Sequence, residues 1–118
     1  MSRKRILYVD PDRTRRTLLG FAIEEKLGYE VVEVGSLSLA RSTLEDRGPF
    51  DFVICFAGVP ESSVDVHIFA EGLLYDVRGQ RTEQKIILLT PSGRSLSGIP
   101  AVSLGSSSLV QDLFHRLA

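Results

Sequence analysis

The chain has 118 residues, 43% of them hydrophobic and 25% charged, with a net charge of −1. That is enough chain for one hydrophobic core and too little for two, and the charge balance excludes both a disordered chain and one drawn to nucleic acid by its overall charge. The single cysteine, Cys55, excludes an internal disulfide framework; it falls in the apolar run Phe52-Val53-Ile54-Cys55-Phe56, where a buried structural thiol is expected. No apolar stretch approaches the ~20 residues that cross a bilayer. The apolar block after the basic start Met1-Ser2-Arg3-Lys4-Arg5 is too short for a secretion signal. A soluble cytoplasmic protein is the expectation.

Ile6-Leu7-Tyr8-Val9 has the unbroken apolar character of a parallel strand buried on both faces. Asp10-Pro11 reads as a helix start, with Asp capping free amides and Pro at the first helical position. Leu18, Leu19, Ala22 and Ile23 recur at helical spacing, with Arg13, Arg15, Arg16, Glu24 and Glu25 mostly elsewhere around the helix. Gly28 stops it. Residues 29–34 form the second strand. Leu37, Ala40 and Leu44 mark a second short helix, ended by Gly48-Pro49. Residues 50–56 form the most apolar strand, expected at the sheet centre. Val66, Phe69, Ala70, Leu73, Leu74 and Val77 form a third helical stripe. Residues 86–89 and 101–104 are the fourth and fifth strands. Val110, Leu113, Phe114 and Leu117 place a last helix at i, i+3, i+4 and i+7.

Strands separated by helices predict parallel βαβ units and an α/β, doubly wound open sheet. Functional loops in such sheets gather at the carboxyl ends of the strands. One crossover is short. The segment between the fourth and fifth strands, Pro91-Ser92-Gly93-Arg94-Ser95-Leu96-Ser97-Gly98-Ile99-Pro100, is rich in helix breakers. A crossover with its helix normally takes at least about 10–12 residues, so the fourth helix is expected to be missing or about one turn long.

The order of these elements resembles a response-regulator receiver domain. Ile6-Leu7-Tyr8-Val9-Asp10-Pro11-Asp12 resembles the family's first strand and acidic cluster, and Gly28-Tyr29-Glu30-Val31 the start of its second strand. Asp51-Phe52-Val53-Ile54-Cys55-Phe56-Ala57-Gly58-Val59-Pro60 resembles the third strand and its proline-containing loop, and Ile86-Ile87-Leu88-Leu89-Thr90 the fourth strand with its terminal threonine. The resemblance covers the whole chain. It implies a flavodoxin-like, five-stranded parallel sheet in the order 2-1-3-4-5, and a single receiver-like domain over residues 1–118. An output domain in a longer gene product would lie beyond Ala118.

Members of that family accept a phosphoryl group on an aspartate at the end of the third strand. An acidic pair after the first strand helps that aspartate hold Mg²⁺, a hard ion that takes octahedral oxygen ligands. A strand-four hydroxyl and a lysine after strand five then hold the phosphate. The resemblance puts Phe56 at the acceptor position, and a phenyl ring offers neither nucleophile nor metal ligand. Asp10 matches the first member of the acidic pair and Pro11 the second, with Asp12 displaced by one. Thr90 matches the hydroxyl. Lys85 is the last lysine in the chain, so Gly105 or Ser106 takes the lysine's place, and Val64 stands where a glycine usually follows the loop proline.

Asp10 and Asp12 read as helix caps, with residual Mg²⁺ binding as the alternative. Thr90 reads as a strand-end turn residue, and Asp65 as an N-cap rather than a relocated acceptor. The resemblance implies a bacterial pseudo-receiver of two-component signal transduction. It would act without phosphorylation, through protein–protein interaction with a partner or with itself, and would need neither cofactor nor Mg²⁺. The partner surface is expected around residues 92–108 and the last helix, with Leu96, Ile99, Ser106 and Ser107 as its candidates. No aromatic occurs in Ala101-Val102-Ser103-Leu104, which predicts a single locked conformation.

The alternative is a small-anion or nucleotide-binding regulatory domain using the backbone amides of Thr90-Pro91-Ser92-Gly93-Arg94-Ser95. No Gly-x-Gly-x-x-Gly or P-loop motif supports it. His67 and His115 read as surface or half-buried helix residues, no Ser-His-Asp or Cys-His set falls on shared loops, and no enzyme is expected. Arg3, Lys4, Arg5, Arg13, Arg15 and Arg16 read as a solvated basic face rather than a direct nucleic-acid contact.

Overall fold

A computed structural model describes residues 4–48, 50–56, 85–90, 101–103 and 107–117. The strands are β1 (Arg5–Val9), β2 (Glu30–Val34), β3 (Phe52–Phe56), β4 (Lys85–Thr90) and β5 (Ala101–Ser103). The helices among the described residues are α1 (Arg13–Leu27), α2 (Leu37–Arg47) and α3 (Leu109–Leu117). All pairings are parallel, in the order β2-β1-β3-β4-β5. This is the flavodoxin-like, doubly wound sheet that the sequence implies, with β3 at its centre. The stripe from Val66 to Val77 and the segment 91–100, where the fourth helix is expected to be missing or about one turn long, fall outside the described residues.

Side chains alternate between the faces of a strand, and both faces here are apolar. Leu7 and Val9 of β1, Val53 and Cys55 of β3, and Ile86 and Leu88 of β4 join Ala40, Leu44 and Phe50 in one core on the α2 side. Ile6 and Tyr8, Phe52 and Ile54, and Ile87 and Leu89 join Leu19, Ile23, Leu113 and Leu117 in a second core under α1 and α3. The unbroken apolar runs thus serve two layers of helix, and each fully buried Leu or Ile contributes roughly 1.5–3 kcal/mol by leaving water. Phe50 belongs to the core but precedes β3.

The helix ends follow local chemistry. The carboxylate of Asp12 accepts the backbone N–H of Arg15, so α1 starts at Arg13. The expected start at Asp10-Pro11 is two residues early, because the Asp10 carboxylate is engaged elsewhere and Pro11 lies in a bend. Gly28 closes α1 in the left-handed region at φ 69°, donating its N–H to the Glu24 carbonyl. The Ser36 hydroxyl caps α2 by accepting from the Leu39 N–H. The hydroxyl of Tyr29, just before β2, donates to the Leu117 carbonyl and ties down the end of α3.

Two stripes are only partly buried. Leu19 and Ile23 are buried, but Leu18 is 64% exposed; Leu113 and Leu117 are buried, but Val110 is 40% exposed. Four apolar positions at 18, 19, 22 and 23 span a wider arc than one sheet face can cover. Among the described residues no helix is long and apolar enough to cross a membrane.

The contrast is measurable by urea unfolding. Ile54→Ala, in the central strand, is expected to cost about 2–5 kcal/mol through lost burial and a residual cavity. Leu18→Ala is expected to stay within about 0.5 kcal/mol of the parent. Equal losses would contradict the exposure of Leu18.

Candidate functional site

The carboxyl ends of β1, β3 and β4 lie side by side, where open α/β sheets place their sites. Asp10 follows β1 directly. Strand alternation sends it to the same side as Ile6 and Tyr8, beneath the start of α1, and sends Phe56 to that side with Phe52 and Ile54.

Asp10 is completely buried. A carboxylate in such a place needs a counter-charge and a full set of donors. It has both. Oδ1 accepts from the Asp12 backbone N–H at 2.8 Å and from Arg15 Nη2 at 2.8 Å. Oδ2 accepts from the Tyr8 hydroxyl at 2.9 Å and from Arg15 Nε at 2.7 Å. A carboxylate offers about four lone-pair sites, and these four donors use them all. The same guanidinium lies over Phe56, with its Cζ 4.1 Å from the ring centroid, within cation–π range. Arg15 is therefore held between a buried anion below and an aromatic face beside it.

The proton chemistry follows from this packing. Hydrogen bonding to Asp10 raises the Arg15 pKa further, so its charge is permanent. Burial first, and then the charge of Asp10, push the Tyr8 phenol far above its usual value, so it remains a donor. Burial likewise pushes the Cys55 thiol up, which keeps it an inert core residue. Asp12 is displaced the other way. The hydrogen bond from the Arg15 N–H lowers its pKa below the usual carboxylate range.

A second arginine braces the same corner. Arg16 Nη1 donates to the Asp10 carbonyl at 2.7 Å, and its Nε lies 3.6 Å from Glu33 Oε1, an ion pair longer than a hydrogen bond. That Nε is buried without a hydrogen-bond partner. Glu33 reaches it across Gly20 of α1, where an added Cβ would stand 2.8 Å from Glu33 Oε2. Burial raises the Glu33 pKa, partly offset by Arg16.

Asp10, Asp12 and Phe56 are gathered around Arg15, and Pro11 is the exposed bend between the first two. Thr90 ends β4, is buried, and stands in register with Ser103. It lies in the sheet, not in a turn. Ser107 is an exposed turn residue before α3, and His115 is exposed on that helix. Gly105, Ser106, Leu96, Ile99, Asp65, His67 and residues 91–95 fall outside the described residues. Among the described residues no group of three or more His, Cys, Asp and Glu gathers for a metal ion.

The residue that sequence reading misplaced is Arg15. Reading the arginines of α1 as charges on its far side assigned it to solvent, yet it is the centre of the site. Two signals pointed inward. The first turn of α1 carries basic residues and no acidic one, against the helix dipole. Strand alternation also sets Asp10 beneath that turn.

Arg15→Ala is expected to destabilise the fold by about 3 kcal/mol, because it strands a buried carboxylate. In a double-mutant cycle with Asp10→Ala, the double variant should lose at least about 1 kcal/mol less than the sum of the singles. Additive losses would mean that the two groups do not interact. For Asp12, whose folded pKa is lowered, the ionised cap stabilises above the usual aspartate range, and that stability is lost as pH falls through the lowered value. Asp12→Asn should therefore keep the cap at neutral pH and flatten the acid limb of a stability-against-pH curve.

No protein-family model matches the chain, and no curated protein matches it in sequence. Solved structures do match. The signal receiver domain of an HD domain-containing protein from Pseudomonas fluorescens Pf-5 is 23% identical, with a TM-score of 0.75 over 98% of this chain and 92% of that one. The chemotaxis response regulator CheY4 of Vibrio cholerae is 17% identical, with a TM-score of 0.74 over 99% of this chain and 100% of that one. The response regulator TrrA from Thermotoga maritima, solved in complex with Mg²⁺ and BeF, is 27% identical, with a TM-score of 0.68 over 98% and 99%. The chain has the fold of CheY-like response-regulator receiver domains.

Proposed function

We propose that this domain is a pseudo-receiver of two-component signalling. It acts without phosphorylation and without Mg²⁺, it is not an enzyme, and it works by binding protein. The observation that carries this reading is the saturated carboxylate of Asp10. A divalent ion at this corner would need oxygen lone pairs from Asp10, and Arg15, Tyr8 and the Asp12 N–H already take them. Phe56, at the position where the receiver resemblance expects the acceptor aspartate, adds an aromatic wall instead of a nucleophile.

Phosphoryl transfer is mainly positioning and charge stabilisation. Both arginines described at this corner are engaged, Arg15 on the Asp10 carboxylate and Arg16 on the Asp10 carbonyl and Glu33. The last lysine of the chain, Lys85, begins β4, at the opposite end of the sheet from the Asp10 corner. The domain that remains is a rigid scaffold held in one state. Its output depends on the surfaces it presents.

Amide NMR during addition of Mg²⁺ and beryllofluoride tests this directly. No shifts are expected at Asp10, Asp12, Phe56 or Thr90. A localised, saturable response there would overturn the proposal. Phe56→Asp alone should remain unresponsive, because Arg15 pairs with the new carboxylate as well. Combining Phe56→Asp with Arg15→Ser should produce Mn²⁺ line broadening centred on Asp10.

A further inference from the structure

We propose that the outer face of α1 is a self-association surface, on which a second copy of this chain seats its own α1 antiparallel about a twofold axis. The proposal rests on the reading of the domain as a protein-binding module and names its partner as itself.

Leu18 is 64% exposed and Phe21 62% exposed. They lie three residues apart on one side of the helix. With Thr14 before them and Glu25 after, both exposed, they follow the 4-3-4 spacing of a helix-packing seam. Scattered apolar residues on a surface need no partner. The order of charges around this pair is what identifies one. Arg13 opens the helix, while Glu24 and Glu25 stand near its end, with no acidic residue in the first turn. Arg13 and the two glutamates oppose the helix dipole, and Lys26 in the last turn follows it. Arg15 and Arg16 are accounted for by Asp10 and Glu33, but no ion pair joins Arg13, Glu24 or Glu25 to another described residue.

An antiparallel copy accounts for both features. A twofold axis between Leu18 and Phe21 lays each Leu18 on the partner's Phe21. It also brings each Arg13 beside the partner's Glu24 and Glu25. The contact is isologous, so it closes at two copies. The helix is about 22 Å long, so one helix pair buries an area at the low end for stable interfaces, and the dimer is weak and concentration-dependent.

Sedimentation equilibrium of the full chain between about 10 μM and 1 mM reads this association. A reversible monomer–dimer equilibrium is expected, weakened by added salt because the charge pairs are exposed. Leu18→Ser with Phe21→Ser should leave only monomer. Arg13→Glu should raise the dimer Kd about tenfold, as should Glu24→Arg with Glu25→Arg, since every pair occurs twice. Combining the three reversals should return the Kd to within about threefold of the parent, a threefold change being well under 1 kcal/mol. These reversals place charges as the helix dipole prefers, so loss of fold does not explain lost association; circular dichroism verifies this.

A monomer at the highest concentration, a dimer indifferent to Leu18 and Phe21, or reversals that fail to compensate each overturn the proposal. So does an α1 face that binds a different protein while the chain itself stays monomeric. The beryllofluoride titration separates this failure from that of the underlying reading. A monomeric chain that ignores the mimic overturns only the dimer. A chain that responds to it overturns the pseudo-receiver reading, whatever its sedimentation.

Discussion

A carboxylate removed from water must find its charge balanced within reach, and in this protein that requirement organises one end of the sheet. Asp10 is completely buried, and Arg15 answers it with two hydrogen bonds from one planar group. The fork geometry matters. Lysine would supply the charge but not the two parallel donors or the flat face that stacks on Phe56. Tyr8 and the Asp12 N–H complete the set, so the first turn of α1 is fastened to the end of β1 by the chemistry of one side chain.

The fold prepares this contact before any side chain is chosen. A parallel βα unit turns from strand to helix over a few residues, which brings the first helical turn back above the strand end. The cap at Asp12 fixes where that turn begins. Arg15, three residues later, then projects over Asp10, and Arg16 reaches its backbone carbonyl and Glu33 of β2. Gly20 leaves the space that Glu33 occupies. The corner is an assembly of β1, β2, β3 and α1, so its parts cannot change independently.

Much of the fold was legible in the chain. The apolar runs around Leu7, Ile54 and Leu88 could only be strands covered on both faces, and the run around Ile54 took the central place its composition implied. The positions Asp10, Asp12 and Phe56 were also legible, through the receiver resemblance. What the pattern hid was direction. Amphipathic reasoning sends every arginine of α1 to solvent, because it weighs side chains by type and does not see a buried anion beneath the helix. It sends Leu18 inward for the same reason, although Leu19 and Ile23 already fill the face that the sheet offers. The helix start slipped by two residues because two aspartates competed for one cap. The loser, Asp10, was the one with another use.

The attachment of Arg15 to the chain has a thermodynamic corollary. A site that holds a dissolved ion gives the folded state a stability that rises and falls with the free concentration of that ion. A tethered guanidinium has no such variable. Its supply is fixed by a few covalent bonds, and it cannot be diluted, chelated or outbid by a change in the medium. On the proposed pseudo-receiver reading, the corner around Asp10 therefore carries no information about the cell's divalent cations.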